Sequence, residues 1–329
     1  MADEMQRLRV ASYNIAGTKK RAYTLRDFLP WTQGKANYEV LDGVADFCRS
    51  YEIDIIAFQE IERSFHFTGY LNQPKYIQEK TGFPNLEYIT NFNLGKAYFD
   101  HGLCILSKLP IDAPKKVLLY RQNDWYFHLA ERLIGTKKAL ATTIIFDDVP
   151  ITIINAHLTD ADEKQRTKEL SILFEYALQR TPAILLGDFN TPPKGNRKKS
   201  REPQYIDDES LSEIEELSRK YPGVIKVDPQ LSLFDAALET EERHLTYPAN
   251  SPNVKLDYVF VVNKDSDPVQ IDIIETFVPD VQLSDHRPVI SDLRIKKRPV
   301  ADELAAPTEE EKKEEKSILE NIASLIKGD

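Results

Sequence analysis

The chain has 329 residues, 53 acidic against 43 basic side chains, a formal charge of −10, 41% hydrophobic and 29% charged residues; that balance suits one large globular domain or two ordinary ones and excludes a fibrous repeat or wholesale disorder. An acidic surface disfavours nonspecific binding to polyanions over the whole molecule but leaves room for a locally basic groove. No run approaches the eighteen or so consecutive apolar residues of a membrane span, the opening MADEMQRLRV has no apolar stretch behind a basic start, and two cysteines, Cys48 and Cys104, cannot build a disulfide framework or a zinc cluster, so a reducing, cytoplasmic location is expected.

In chain order, β-branched and apolar runs bounded by Gly, Pro, Asn or Asp predict strands over 8–15, 53–59, 102–106, 142–146, 151–157, 183–186, 257–262 and 271–277. Helical spacing predicts helices over 40–51, 162–179 and 210–221. The fold class is therefore mixed α and β. Several strands run straight into polar residues: Asn14 after RVASY, Glu60 after IDIIAFQ, His157 after ITIINA, Asp188 and Asn190 after AILLG. In α/β sheets, sites form at strand ends, which makes this repeated exit pattern informative. Three longer loops follow such ends. Residues 17–38 carry Lys19, Lys20, Arg21, Arg26 and Lys35 with Tyr23, Phe28 and Trp31, residues 64–76 are aromatic-rich, and residues 194–201 read KGNRKKSR. Near Pro299 the composition shifts to a charged stretch without strand formers, so residues 1–298 are read as one catalytic domain and 299–329 as a charged linker with a helical tail. Thr308 with Glu311 reads as a capping box, and Ile318, Leu319, Ile322, Leu325 and Ile326 fall on one helical face. That face either docks back on the domain or meets a partner or membrane surface.

Singly, Asp and Asn at strand ends are ordinary turn formers and caps. Together, Glu60, Asp188, Asp257 and Asp285 supply hard oxygen ligands and acceptors, Asn14 and Asn190 neutral amides, and His157 and His286 proton donors. A divalent cation such as Mg²⁺ binds through one or two carboxylates while keeping substrate phosphate oxygens in its shell. Phosphoryl transfer needs that cation, imidazoles to neutralise developing charge, and a carboxylate to align or deprotonate the attacking water.

The motifs SYNIAG at 12–17, FQEI at 58–61, HGLCILSKLPI at 101–111, NAHLTD at 155–160, GDFNTPP at 187–193, LDYVFV at 256–261 and SDHRPV at 284–289 resemble, in order and interval, those of the endonuclease/exonuclease/phosphatase superfamily with the deoxyribonuclease-I fold. The resemblance covers about residues 8–295 and implies a four-layered α/β/β/α sandwich with the site at one end of two central mixed sheets. It makes Glu60 the principal metal ligand, assisted by Asn14 and by Asp285 directly or through water. Asp188 becomes the residue that positions or activates the water, Asn190 the one that binds the transferring phosphoryl group, and His286, held by Asp257, the one that faces a nonbridging oxygen. His157 resembles the second histidine of the branch with deoxyribonuclease I, sphingomyelinases, inositol-polyphosphate phosphatases and deadenylases. Abasic-site endonucleases typically carry N-x-Y-x-P-N there and often an Asp where this chain has Ala16, so that activity is disfavoured.

His66, His101, His128 and His244 lie outside this set and are expected to be structural or surface groups. Cys48 and Cys104 are expected in the core, and Lys108 and Arg287 on the surface. Ser284-Asp285-His286 cannot chain as a hydrolase triad, since adjacent residues lack the geometry, and no G-x-S-x-G elbow is present. The expected activity is a Mg²⁺- or Mn²⁺-dependent phosphodiesterase using in-line attack by water, with nucleic acid favoured over lipid head groups as partner. A phospholipid or inositol-phosphate hydrolase is the alternative, and a catalytically dead binding scaffold the different class.

Overall fold

The computed structural model describes residues 6–18, 37–65, 68–93, 99–112, 114–119, 137–160, 163–191, 223–226 and 244–298. The helix expected over 210–221, the basic loop 194–201, most of loop 17–38, His66, His128 and the tail beyond 298 lie outside those residues.

Twelve strands are described, in two six-stranded sheets. The first has the order β11-β12-β1-β2-β4-β3, built from β1 (Gln6–Asn14), β2 (Ile55–Phe65), β3 (Asn85–Asn93), β4 (Phe99–Ser107), β11 (Val269–Phe277) and β12 (Val289–Lys297). The second has the order β5-β6-β7-β8-β10-β9, from β5 (Lys115–Leu118), β6 (Lys138–Phe146), β7 (Val149–His157), β8 (Ala183–Asp188), β9 (Ile225–Lys226) and β10 (Asp257–Val262). Each sheet has one parallel pair at its centre, β1 with β2 and β7 with β8, and is otherwise antiparallel. Parallel neighbours need a crossover. Helix α1 (Tyr38–Ser50) lies between β1 and β2, and helix α3 (Glu163–Leu178) between β7 and β8. Helix α2 (Gln73–Thr81) follows β2.

Strand alternation explains the layering. Leu8, Val10, Ile55 and Ala57 of one sheet face Ile151, Ile153, Ile184 and Leu186 of the other in the central core. The intervening residues Ala11, Tyr13, Ile56 and Phe58 point outward, where Val40, Leu41, Val44, Phe47 and Cys48 of α1 cover them. On the far side Leu170, Leu173, Phe174 and Ala177 of α3 cover Ile154, Leu185 and Phe260. These three apolar layers make the expected α/β/β/α sandwich. Both cysteines are buried and free, and burial pushes the Cys48 thiol up to about 12.

Register then gathers the strand ends. Parallel pairing puts Asn14 beside Gln59 and His157 beside Asp188. Antiparallel pairing puts the first residue of β10, Asp257, opposite Asp188, and the first of β12, Val289, opposite Ser12. Residues from both halves of the chain therefore meet at one end of the sandwich.

Candidate active site

Glu60 owes its position to a bulge. Phe58 pairs with Cys104 and Ile61 with Gly102, so Gln59 and Glu60 together oppose one residue of β4. A bulge re-aims a side chain, and here it holds Glu60 at φ 50, a left-handed conformation that costs a non-glycine residue about 1–3 kcal/mol. The strand was expected to stop at Gln59. It runs on to Phe65, because the polar sequence after the bulge still pairs.

Asn14 joins the two halves. The Ala16 N–H donates to Asn14 Oδ1 at 3.0 Å, which fixes the amide so that Nδ2 faces the carboxylates. Nδ2 then donates to Glu60 Oε1 at 3.1 Å and to Asp188 Oδ2 at 3.0 Å. One small side chain thus brings a carboxylate from each sheet within its reach. Asp188 spends Oδ1 on the Asn190 N–H at 3.0 Å. Its Oδ2 is approached by His286 Nε2 at 3.6 Å and His157 Nε2 at 3.7 Å, beyond direct hydrogen-bond length. His286 Nδ1 is bonded to Asp257 Oδ2 at 2.9 Å, as expected, and Tyr247 packs on its ring at 4.9 Å between centroids. Asn190, itself at φ 50, donates one amide proton to Leu158 O at 3.0 Å. Asp285 is half-buried, accepts from Ser284 Oγ at 3.1 Å, and raises the pKa of Glu60 through its charge. Lys108 pairs with Asp54 and Arg287 with Asp280, away from this cluster.

The loop after His157 is tied to α3. Thr159 donates through N and Oγ1 to the two Glu169 oxygens, each at 2.7 Å, and the fully buried Arg166 donates to Thr159 O and Asp160 O at 3.0 Å. Behind GDFN, Tyr258 OH donates to Thr191 O at 2.6 Å. Gly187 is a packing residue: a Cβ there would meet Ala156 O at 2.1 Å.

The environment splits the histidines. Burial alone would lower His286, but the Asp257 and Asp188 carboxylates outweigh it and lift the imidazole to about 10. Burial, with the charges of Lys137, His101 and His286, holds His157 well below the ordinary range. At neutral pH one imidazole is a cation and the other a neutral donor. Burial raises both Glu60 and Asp188, and Asp257 adds to the rise at Asp188.

His101, expected to be a structural or surface group, is half-buried with its Nε2 4.0 Å from Glu60 Oε2, while His157 Nε2 lies 3.9 Å from Oε1. Burial and Lys137 depress it to about 4. Its signal in the sequence was its place at the head of HGLCILSKLPI, beside Gly102. That glycine has its own reason, since a Cβ would meet Ile89 O at 1.9 Å. His244 is buried.

Two metal-binding readings compete on geometry. Asp188, Asp257 and His286 offer ligand atoms within 4.8 Å of one another. In that trio His286 Nδ1 is already bonded to Asp257 Oδ2 at 2.9 Å, and its Nε2 lies 3.6 Å from Asp188 Oδ2, the arrangement of an ion-pair chain. Glu60 and Asp285, both half-buried, keep carboxylate oxygens for such a site instead, while Asn14 turns Nδ2 and not Oδ1 toward Glu60 and Asp188.

The sequence profile of the endonuclease/exonuclease/phosphatase family matches residues 11–286. The chain belongs to that family. Membership places it among phosphoesterases. Solved structures share the fold at low identity: an endonuclease/exonuclease/phosphatase from Beutenbergia cavernae (16% identity, TM-score 0.61, 90% of this chain and 73% of that one), a mannosyl-6-phosphatase from Bacteroides thetaiotaomicron (18%, 0.52, 87% and 99%), and TDP2 from D. rerio complexed with a single-strand DNA product (15%, 0.55, 87% and 98%). Among curated proteins none matches the chain closely enough to count as a relative.

Proposed function

We propose that this family member is a divalent-metal-dependent phosphodiesterase acting by in-line attack of water. The observation that carries the reading is the Asn14 amide, which holds Glu60 and Asp188 at 3.1 and 3.0 Å from one nitrogen, next to the protonated His286. The residues fit a hard cation: the donors are oxygens, and burial and the Asp285 charge push the Glu60 carboxyl toward its neutral form, a cost that a bound cation would relieve. Glu60 would hold Mg²⁺ or Mn²⁺ with Asp285, and Asn14, expected from the sequence as a further ligand, would instead orient Glu60 through Nδ2, its Oδ1 being bonded to the Ala16 N–H. The bound ion would polarise the phosphoryl group and neutralise charge developing on its oxygens.

Asp188 Oδ2 would accept the proton of the attacking water, a role that suits a carboxylate raised toward neutrality. His286, kept cationic by Asp257, would donate through Nε2 to a nonbridging oxygen, and neutral His157 would add a second N–H. Asn190 would use its remaining amide proton on the same group. Tyr247, tilted against the His286 ring, would help hold that imidazole in place.

Nucleic acid is the favoured substrate class over a phospholipid or inositol-phosphate head group. Basic and aromatic side chains at 19–35 and 194–201 follow the motif ends in an otherwise acidic chain, a pattern that gathers a polyanion at the site and repels it elsewhere. A panel of single- and double-stranded DNA, RNA, sphingomyelin and inositol phosphates, assayed with Mg²⁺, tests this. Oligonucleotide turnover should fall with salt with a log–log slope of roughly −0.7 per phosphate contact on single strands, and replacing Lys194, Arg197, Lys198 and Lys199 by Ala should flatten it. Turnover of the lipid or inositol-phosphate substrates alone would transfer the assignment to that class.

A further inference from the structure

Asn155 has no part in the proposed chemistry, yet it is a fully buried polar side chain two residues before His157. It reaches out of its own sheet into the other. Its Nδ2 donates to Phe58 O and Cys104 O, both at 2.9 Å, and its Oδ1 accepts from Gln59 Nε2 at 2.8 Å. Phe58 and Cys104 are the last regularly paired residues of β2 and β4 before the bulge, and Gln59 is the bulge residue next to Glu60. Gln59 is itself buried and held on its own sheet, through Ser12 Oγ and Ala57 O at 3.2 Å each.

We propose that Asn155, oriented by Gln59, is the positioning residue for Glu60, an amide from the second sheet that clamps the two carbonyls of the last strand pair before the bulge and so fixes where the Glu60 carboxylate points. A side chain here needs two donors on one atom and an acceptor beside it. Only an amide supplies that set at this size; leucine offers no donor, and aspartate would set oxygens against two carbonyls. The catalytic consequence rests on the reading of Glu60 as a metal ligand, whereas the positioning can be tested without it.

The experiment uses the full chain and its Asn155→Leu variant, with Asn263→Leu as control. Asn263 is also buried and makes three comparable bonds, to Asp267 Oδ2, Val269 O and Ile271 N, on the β10–β11 connection. Backbone amide exchange is measured on metal-free protein, and Mn²⁺ affinity by electron paramagnetic resonance. Asn155→Leu should accelerate exchange over residues 59–62 on the order of tenfold, while the control leaves that segment unchanged. Mn²⁺ affinity should fall about 10- to 100-fold, as for other groups that orient a metal ligand, and kcat should fall more than KM rises. If Asn155→Leu does not fold, Gln59→Leu, which removes the orienting bond along with the bonds to Ser12 and Ala57 but leaves the Asn155 clamp on Phe58 O and Cys104 O, should show the same pattern more weakly. Exchange over 59–62 that matches the control overturns the proposal. A wild-type chain that binds no Mn²⁺ contradicts the metal reading instead, and leaves the exchange result to decide the positioning.

Discussion

His286 lies between Asp257 at 2.9 Å and Asp188 at 3.6 Å, and this sandwich sets its charge. The folded pKa, lifted to about 10, lies above an unfolded value of about 6.5. The pair therefore stabilises the fold fully below pH 6.5, and that contribution is lost as pH rises through about 10. Imidazole NMR of the metal-free protein should show His286 as a cation at pH 7 to 8, and Asp257→Asn should move its titration down toward the ordinary range. A neutral His286 at pH 7 would contradict the assignment of charge donor. Asn14, His157 and Asp188 were legible because each closes a strand inside a motif of fixed order, whereas Glu60 sits within β2, and Asp257, Asp285 and His286 were legible through their motifs alone. His101 escaped that logic: it sits inside a strand, next to a glycine required by packing, and only folding brings it to Glu60. The split between a cationic His286 and a neutral His157 was equally hidden, since it depends on which carboxylates surround each ring.

At the scale of elements, the strands read best were those with apolar alternation on both faces, β1, β7, β8 and β10. Helix α2 went unread because its buried face is only Gln73, Pro74 and Ile77, too little for an amphipathic signal. Its caps were nevertheless present: Asn72 accepts from Lys75 N, and Gly82 closes the helix at φ 76. β12 was missed for a related reason, since Ser291 and Asp292 interrupt the apolar run. Asp292 is buried to take Arg9 in a two-point ion pair at 2.7 and 2.9 Å. The glycine of GDFN sets the spacing between β7 and β8, since a Cβ there would meet Ala156 O at 2.1 Å. Gly187→Ala should therefore destabilise the fold by about 3 kcal/mol, the upper range for overpacking, as read by denaturant unfolding. Unchanged stability would show that the two strands can separate without loss.

Across the whole molecule, two sheets with a parallel pair each turn their strand ends to one edge, and the site needs residues from Asn14 to His286. The described core closes with β12 at Lys297, and the family profile ends at 286, so deleting residues 300–329 should leave cooperative unfolding and small-diester activity intact. Loss of either would make the tail part of the core. Periodicity alone led to a mixed α and β class, and the sandwich was anticipated through the family resemblance that the ordered motifs carry. Substrate choice was not legible in the same way, since it belongs to loops whose side chains carry no periodic constraint. The most direct test of the account is hydrolysis of bis-p-nitrophenyl phosphate by wild type, Glu60→Ala and Asp188→Asn, each after EDTA treatment and again with Mg²⁺ or Mn²⁺ added. The account predicts no turnover in EDTA, recovery of wild type by either cation, and kcat lowered on the order of 10²- to 10⁴-fold in both folded variants. Full activity of the EDTA-treated wild type with no metal retained, or Asp188→Asn within about threefold of wild type, would contradict it.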